Sequence, residues 1–156
     1  MLIKLDMANA FDRVRHSFLL QVLYAFGSDS EFVNLIKACV GEPWIAPLVN
    51  GRPAIYFKAT RGITQGFPLS PFLYIMTADS LISRKLSDEK LNGTLLGIRA
   101  IPRTTPINHA LFTNDSILLG GASIKIARAF NEVIQSFCSV SRAMVNNRKM
   151  QCTTGL

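Results

Sequence analysis

Two aspartates close or follow apolar runs at opposite ends of the chain. Asp6 ends the run Met1–Leu5, and Asp115 follows Leu111-Phe112-Thr113-Asn114. Between them lies a glycine-bearing loop that leads into a helix, Gly62-Ile63-Thr64-Gln65-Gly66-Phe67-Pro68-Leu69-Ser70-Pro71. Carboxylates that converge from separate strand ends are what two-metal phosphoryl transfer requires, because two ions roughly 3.5–4 Å apart must clamp the attacking and leaving oxygens. Mg²⁺ takes hard oxygen ligands and keeps several waters, so a few carboxylates and the substrate's own phosphates suffice. By themselves, two aspartates far apart in sequence are more often solvated turn residues. The runs around them give the pair its weight.

Such a site needs strands that end together. Met1–Leu5 reads as a buried strand ending at Asp6. Ile107–Phe112 and Ser116–Leu119 read as a hairpin with Thr113-Asn114-Asp115 at its tip. Ala8–Arg15 reads as a polar bend. Helical spacing over Ser17–Phe26 (Phe18, Leu19, Val22, Leu23, Phe26) stops at Gly27. A second helix starts at Ser28 or Ser30 and closes at Gly41, with Phe32, Leu35, Ile36, Cys39 and Val40 as its inner face. Trp44–Val49 and Ala54–Thr60 flank Asn50-Gly51, a strong hairpin signal, with Pro47 and Pro53 restricting these strands to an edge. A long helix opens at Pro68 or Ser70 and runs to about Leu86, with Phe72, Ile75, Met76, Leu81 and Ile82 inward. Ser87–Thr94 reads as turns and Leu95–Ile101 as a strand. Ser123 caps a last long helix whose face is Ile126, Phe130, Val133, Ile134 and Phe137. Val140–Val145 then leads to a final short strand or tail. The class is α+β, a mostly antiparallel sheet with helices packed on one face.

With 156 residues and 49% hydrophobic content, the chain reads as one domain spanning 1–156, with enough apolar material for a core. Seventeen basic against ten acidic side chains leave a net charge of +7, which suits a polyanionic partner. Cys39, Cys138 and Cys152 are widely spaced, exclude a zinc-type motif, and read as small apolar fillers of a reduced protein. No apolar run is long enough to span a bilayer, and residues 1–30 carry no secretory pattern. The expected location is intracellular, nucleus or cytoplasm, without membrane contact.

The motifs themselves resemble those of a known family. Asp6-x-x-x-Ala10-Phe11-Asp12 resembles the first palm motif of reverse transcriptases. Gly62-x-x-Gln65-Gly66-x-Pro68-Leu69-Ser70-Pro71 is similar to their second, and Phe112-Thr113-Asn114-Asp115 to the Phe/Tyr-Ala-Asp-Asp hairpin of their third. Phe137-Cys138, Ser141 and Val145-Asn146-x-x-Lys149 resemble the segment after it. Four motifs in the family's order cover residues 4–149, and the nearest resemblance is to LINE-type reverse transcriptases of non-LTR retrotransposons, the plant ones especially. The resemblance implies a polymerase palm-like fold and RNA-directed DNA polymerase chemistry with two Mg²⁺ ions. It implies an RNA template, a DNA primer and deoxynucleoside triphosphates as partners. Asp6 would be a metal ligand, with a backbone carbonyl of Leu5 or Met7 assisting. Asp115 would be a second metal ligand, and Asp6, Asn114 and Asp115 together the catalytic positions. Phe11 would sit under the sugar and exclude a 2′-hydroxyl. Gln65 and Gly66 would meet the incoming nucleotide and template, and Lys149 the triphosphate.

Departures from the pattern carry their own expectations. The family's hairpin ends in two aspartates, and the first is the direct metal ligand; here that place is Asn114, which brings an amide oxygen and no charge. Loss of one first-contact charge is expected to lower the rate on the order of 10³-fold. Phe67 stands where the family has Asp, and Arg142-Ala143 where it has Gly-Leu. The chain begins five residues before Asp6 and ends seven after Lys149, so most of the fingers and the thumb are expected to lie outside it, in missing segments or a larger retrotransposon polyprotein. The expectation is a truncated, degenerate palm with partial fingers and no thumb, inactive as this fragment and poorly soluble. The alternative is a non-catalytic nucleic-acid-binding remnant.

Overall fold

A computed structural model describes residues 1–41, 44–99 and 101–154. Its centre is a four-stranded antiparallel sheet in the order β6-β7-β1-β8, formed by His109–Phe112 (β6), Asp115–Leu119 (β7), Leu2–Asp6 (β1) and Gln151–Thr153 (β8). Strand alternation sets its two faces. Ile3, Leu5 and Leu118 point toward the helices, while Leu2, Lys4, Ala110 and Phe112 lie on the exposed face. The core is one cluster in which Leu5, Met7 and Leu118 meet Leu73, Tyr74, Phe130, Ile134 and Phe137.

The covering helices are α2 (His16–Ala25), α3 (Ser30–Gly41), α4 (Ser70–Ala78), α5 (Arg84–Leu91) and α6 (Ile124–Ser141). A short α1 (Ala10–Arg13) occupies part of the expected polar bend. The Ser123 hydroxyl accepts the Ile126 N–H at 3.2 Å, so α6 starts at the capping residue that its sequence predicts. The apolar face of α6 holds as expected, with Phe130, Val133, Ile134 and Phe137 buried.

Several expectations need correction. The inner face of α3 is Val33, Ile36 and Val40, whereas Phe32 and Leu35 are 41% and 58% exposed. Seven apolar residues in the nine positions 32–40 let a helix be phased two ways, and packing on α2 decides. The long helix runs on to Leu91 through Ser87 and Asp88, and joins α4 to α5 by a π-helical stretch, Asp79–Ser83. Its buried stripe is Tyr74, Ala78, Ile82 and Leu86, a spacing of four that drifts about 40° per step on an ideal α-helix. The wider π turn takes up part of that drift, and Phe72 points out at 67% exposure. Hydroxyl back-bonding accompanies it, from Thr77 to the Tyr74 carbonyl (2.6 Å) and from Ser80 to the Thr77 carbonyl (2.9 Å). Finally, Leu95–Ile101 contributes a single bridge, Ile98 to Ile107, rather than a strand, and its Ala100 lies outside the described residues. Cys39 and Cys152 are exposed and only Cys138 is half-buried, so the apolar-filler reading fails for two of the three.

The Asn50-Gly51 hairpin is present in fragmented form. Both residues have positive φ, 51° and 76°, as a tight two-residue turn demands. Leu48–Val49 (β3) pairs with Arg52–Pro53 (β4), and Trp44–Ile45 (β2) pairs with Phe57–Lys58 (β5).

Candidate active site

Antiparallel pairing of β1 with β7 places Asp6 opposite Asp115 and Leu5 opposite Ser116. Directly opposed residues share a face of the sheet, so the two carboxylates project to the same side. Phe112 pairs with Asp115, leaving Thr113-Asn114 as the turn, with Thr113 at φ 48°. The turn folds back over the end of β1: the Met7 N–H donates to the Asn114 carbonyl at 3.0 Å, and the Asn114 side-chain amide donates to Asp6 Oδ1 at 3.0 Å. The expected meeting of Asp6 with the hairpin tip therefore exists as direct contact, with Asn114 as the touching residue.

Asp6 is 8% exposed and its other oxygen is also engaged. Asn146 Nδ2 donates to Oδ2 at 3.0 Å, and Lys149 Nζ lies 3.7 Å from the same oxygen. The backbone ties this segment to the strand end, since the Asn146 N–H donates to the Asp6 carbonyl at 2.8 Å and the Ala8 N–H to the Met144 carbonyl at 2.7 Å. Asn146 is a site residue that the sequence reading passed over. Its signal was the spacing Asn146-x-x-Lys149, which puts both residues in one turn after α6. Asp115 turns away to Lys4, with Nζ to Oδ2 at 3.9 Å.

Asp6, Asn114, Asn146 and Lys149 floor a cleft of about 620 Å³ whose walls include Phe11, Gln65, Gly66 and Pro68. The loop that carries Gln65 and Gly66 is fixed from both sides. Its Ile63 N–H donates to the Phe11 carbonyl at 2.7 Å, and the Ser70 hydroxyl donates to the Thr64 carbonyl at 2.7 Å. His16 Nε2–H donates to the Gly62 carbonyl at 2.7 Å. Gln65 Nε2 donates to Asp12 Oδ1 at 3.3 Å. Gly66 has φ 85°, and a Cβ there would meet nothing within 4 Å. The backbone demands glycine and leaves open space above it. The Phe11 ring leans on Tyr74, centroids 5.4 Å apart and tilted by 45°. The Tyr74 hydroxyl is buried without a hydrogen-bond partner; burial first, then the neighbouring Cys138 and Asp6, pushes its ionisation far upward.

The donor set decides what this floor can hold. Of the two carboxylates only Asp6 lines the cleft, where the Lys149 ammonium balances its charge, while Asp115 is paired with Lys4 outside the lining. Both oxygens of Asp6 already accept amide protons. Among the described residues no group of three His, Cys, Asp or Glu side chains is placed to hold a metal ion. These residues do not fit a resident pair of divalent cations. They fit an ion-paired, hydrogen-bonded carboxylate at the bottom of the cleft.

Known proteins resemble both sequence and fold. The family model described as reverse transcriptase (RNA-dependent DNA polymerase) matches residues 1–155. A retrovirus-related Pol polyprotein from a type-1 retrotransposable element R2 of Popillia japonica is 34% identical over 88 residues, 56% of this chain and 14% of that protein. An uncharacterized mitochondrial protein of Arabidopsis thaliana is 37% identical over 71 residues, 44% of this chain and 56% of that protein. The chain thus spans a small part of the Pol polyprotein. Among solved structures, an apo telomerase from Candida tropicalis superposes with a TM-score of 0.71 at 16% identity, covering 99% of this chain and 30% of that one. The α+β layout, with an antiparallel sheet carrying helices on one face, is the palm-like fold of these polymerases. No helix among the described residues is long and apolar enough to cross a membrane. By motif order, fold and family match, the chain belongs to the reverse transcriptase (RNA-dependent DNA polymerase) family.

Proposed function

We propose that this chain is the palm of an RNA-directed DNA polymerase from a LINE-type non-LTR retrotransposon Pol protein, which binds primer, RNA template and deoxynucleoside triphosphate but does not carry out two-metal nucleotidyl transfer. One observation carries the reading: Asp6 lies at the floor of a cleft walled by the first two motifs, and the group that meets it from the third is an amide rather than a carboxylate. The family works through divalent metal ions, Mg²⁺ in our reading, which would neutralise the charge developing on the transferring phosphoryl group. Asp6 is the one family ligand retained at the floor, and Asn114 occupies the place of the second.

The remaining residues keep binding roles. Lys149 places an ammonium at the cleft, where it attracts a triphosphate. Phe11, braced by Tyr74, presents a ring edge that disfavours a 2′-hydroxyl. Gly66 allows the backbone to approach a base pair, and Gln65 is held in place by Asp12. The net charge of +7 supports a second, related reading, a nucleic-acid-binding remnant that lives on electrostatics alone.

The test is fluorescence anisotropy with a labelled poly(rA)/oligo(dT) hybrid. We expect binding that falls steeply with salt, persists in EDTA, and gains from added dTTP in a Lys149-dependent way. Binding that ignores dTTP selects the remnant reading, and absence of binding at low salt sinks both.

A further inference from the structure

A second cavity, of about 460 Å³, is lined by Arg15, Ser17, Thr60, Arg61 and Arg142, none of which lines the Asp6 cleft. Its lining holds three arginines, a serine and a threonine, and no acidic residue. Among the described residues none of the three arginines forms a side-chain ion pair. Gathering three like charges without a counter-charge is unfavourable unless an anion completes the set, and the planar guanidinium fork matches phosphate oxygens.

The backbone brings them together from three places. Arg15 and Arg61 are opposed in an antiparallel bridge, and the His16 N–H donates to the Thr60 carbonyl at 3.3 Å. Arg15 is the N-cap and Ser17 the second residue of the ten-residue α2, whose N-terminus has no side-chain cap; the helix start adds partial positive charge. Arg142 ends α6 in the left-handed region at φ 67°. That conformation suits glycine and strains any other residue. Here the chain accepts the strain and gains a third guanidinium at the cavity.

We propose that the Arg15–Arg61–Arg142 cavity binds a backbone phosphodiester of a nucleic-acid strand, as a contact separate from the nucleotide cleft. The site rests on the reading of nucleic acid as partner. Arg61 immediately precedes the Gly62–Gly66 loop, so a strand anchored here is tethered to the segment that walls the cleft.

The decisive variant is Arg142→Gly, which removes the cation and relieves the backbone, so its fold is at least as stable as the parent's. Binding of labelled oligo(rA) is followed by anisotropy across a salt series. One lost phosphate contact on a single strand lowers the slope of log K against log salt by about 0.7, or about fivefold in affinity at 0.1 M. Arg103→Gly is the matched control, since Arg103 is another exposed arginine at positive φ, 70°, outside the cavity lining. We expect the loss for Arg142→Gly and a smaller change for Arg103→Gly. Equal losses in the two variants, or none for Arg142→Gly, overturn the site while leaving the proposed function standing. Parent protein that binds no oligonucleotide at low salt overturns both. Inorganic phosphate at constant ionic strength separates the sources: Arg142-dependent phosphate binding with Arg142-independent oligonucleotide binding marks a small-anion pocket and overturns the backbone assignment.

Discussion

Replacing Asn114 with Asp changes one atom type and tests what the site lacks. In the parent, the Asn114 amide donates to Asp6 Oδ1 at 3.0 Å, and Asp6 is 8% exposed. The substitution removes a hydrogen bond to an ionised group, worth about 1.5–3 kcal/mol. It also sets two carboxylates at about the same separation. Repulsion at an effective dielectric near 20 is then about 5 kcal/mol, capped near 4 kcal/mol because one carboxyl can instead hold a proton at pH 7. Lys149 and Lys4 offset part of this. We expect a metal-free loss of about 3–5 kcal/mol, or a Tm lower by roughly 6–20 °C for a chain of this size. The loss should grow as pH rises from about 4 to 7, because protonation shields the pair at low pH. Mg²⁺ or Mn²⁺ then has two anionic ligands, and ion at a hundred times its Kd returns about 2.7 kcal/mol. The assay is thermal unfolding of both chains in EDTA and in excess metal at matched ionic strength. An Asn114→Asp chain as stable as the parent in EDTA, or equal metal stabilisation of both, refutes the electrostatic account.

Other expectations follow from buried groups. Asn146→Ala leaves Asp6 Oδ2 with only the exposed Lys149 as partner, so unfolding free energy by urea should fall by about 1–3 kcal/mol. Tyr74→Phe removes a buried hydroxyl that has no partner; it should be neutral or stabilising by up to about 1 kcal/mol in the same titration. A Cβ on Gly97 would clash with the Ile107 carbonyl, at φ 79°, so Gly97→Ala should cost about 2 kcal/mol or more. His109 is held neutral, donating from Nδ1 to Asn108 Oδ1 (2.7 Å) and accepting at Nε2 from the Ser83 hydroxyl (2.8 Å). Burial, opposed by Asp79 and aided by Lys90, lowers its proton affinity. The unfolded chain therefore binds the extra proton first, and stability should fall as pH drops below about 6.5. His109→Gln should flatten that slope.

Some of this was legible in the sequence because single residues carry strong local instructions. Asp6 at the end of β1, the hairpin around Thr113-Asn114 and the Ser123 cap all came from short patterns with one physical solution. The site came from motifs, since no rule of spacing alone brings residues 6, 65 and 114 to one cleft. What escaped was set by packing. Phe32, Val33, Leu35 and Ile36 permit two helix phases, and contact with α2 picks one. The π turn at Asp79–Ser83 arises from fitting a four-residue stripe to the core, which an ideal helical wheel does not anticipate. Asn146 is an ordinary polar residue until the chain after α6 folds back on β1. The plant affinity suggested by the motifs is not singled out by relatives from both Popillia japonica and Arabidopsis thaliana.

We propose that the Asn114 amide, in contact with Asp6 at the floor of the cleft, silences a site of nucleotidyl transfer. Primer extension on poly(rA)/oligo(dT) with Mn²⁺, read against Asp6→Ala, tests this most directly. The parent chain should incorporate no more dTTP than the Asp6→Ala background. Incorporation well above that background, abolished by Asp6→Ala, would contradict it.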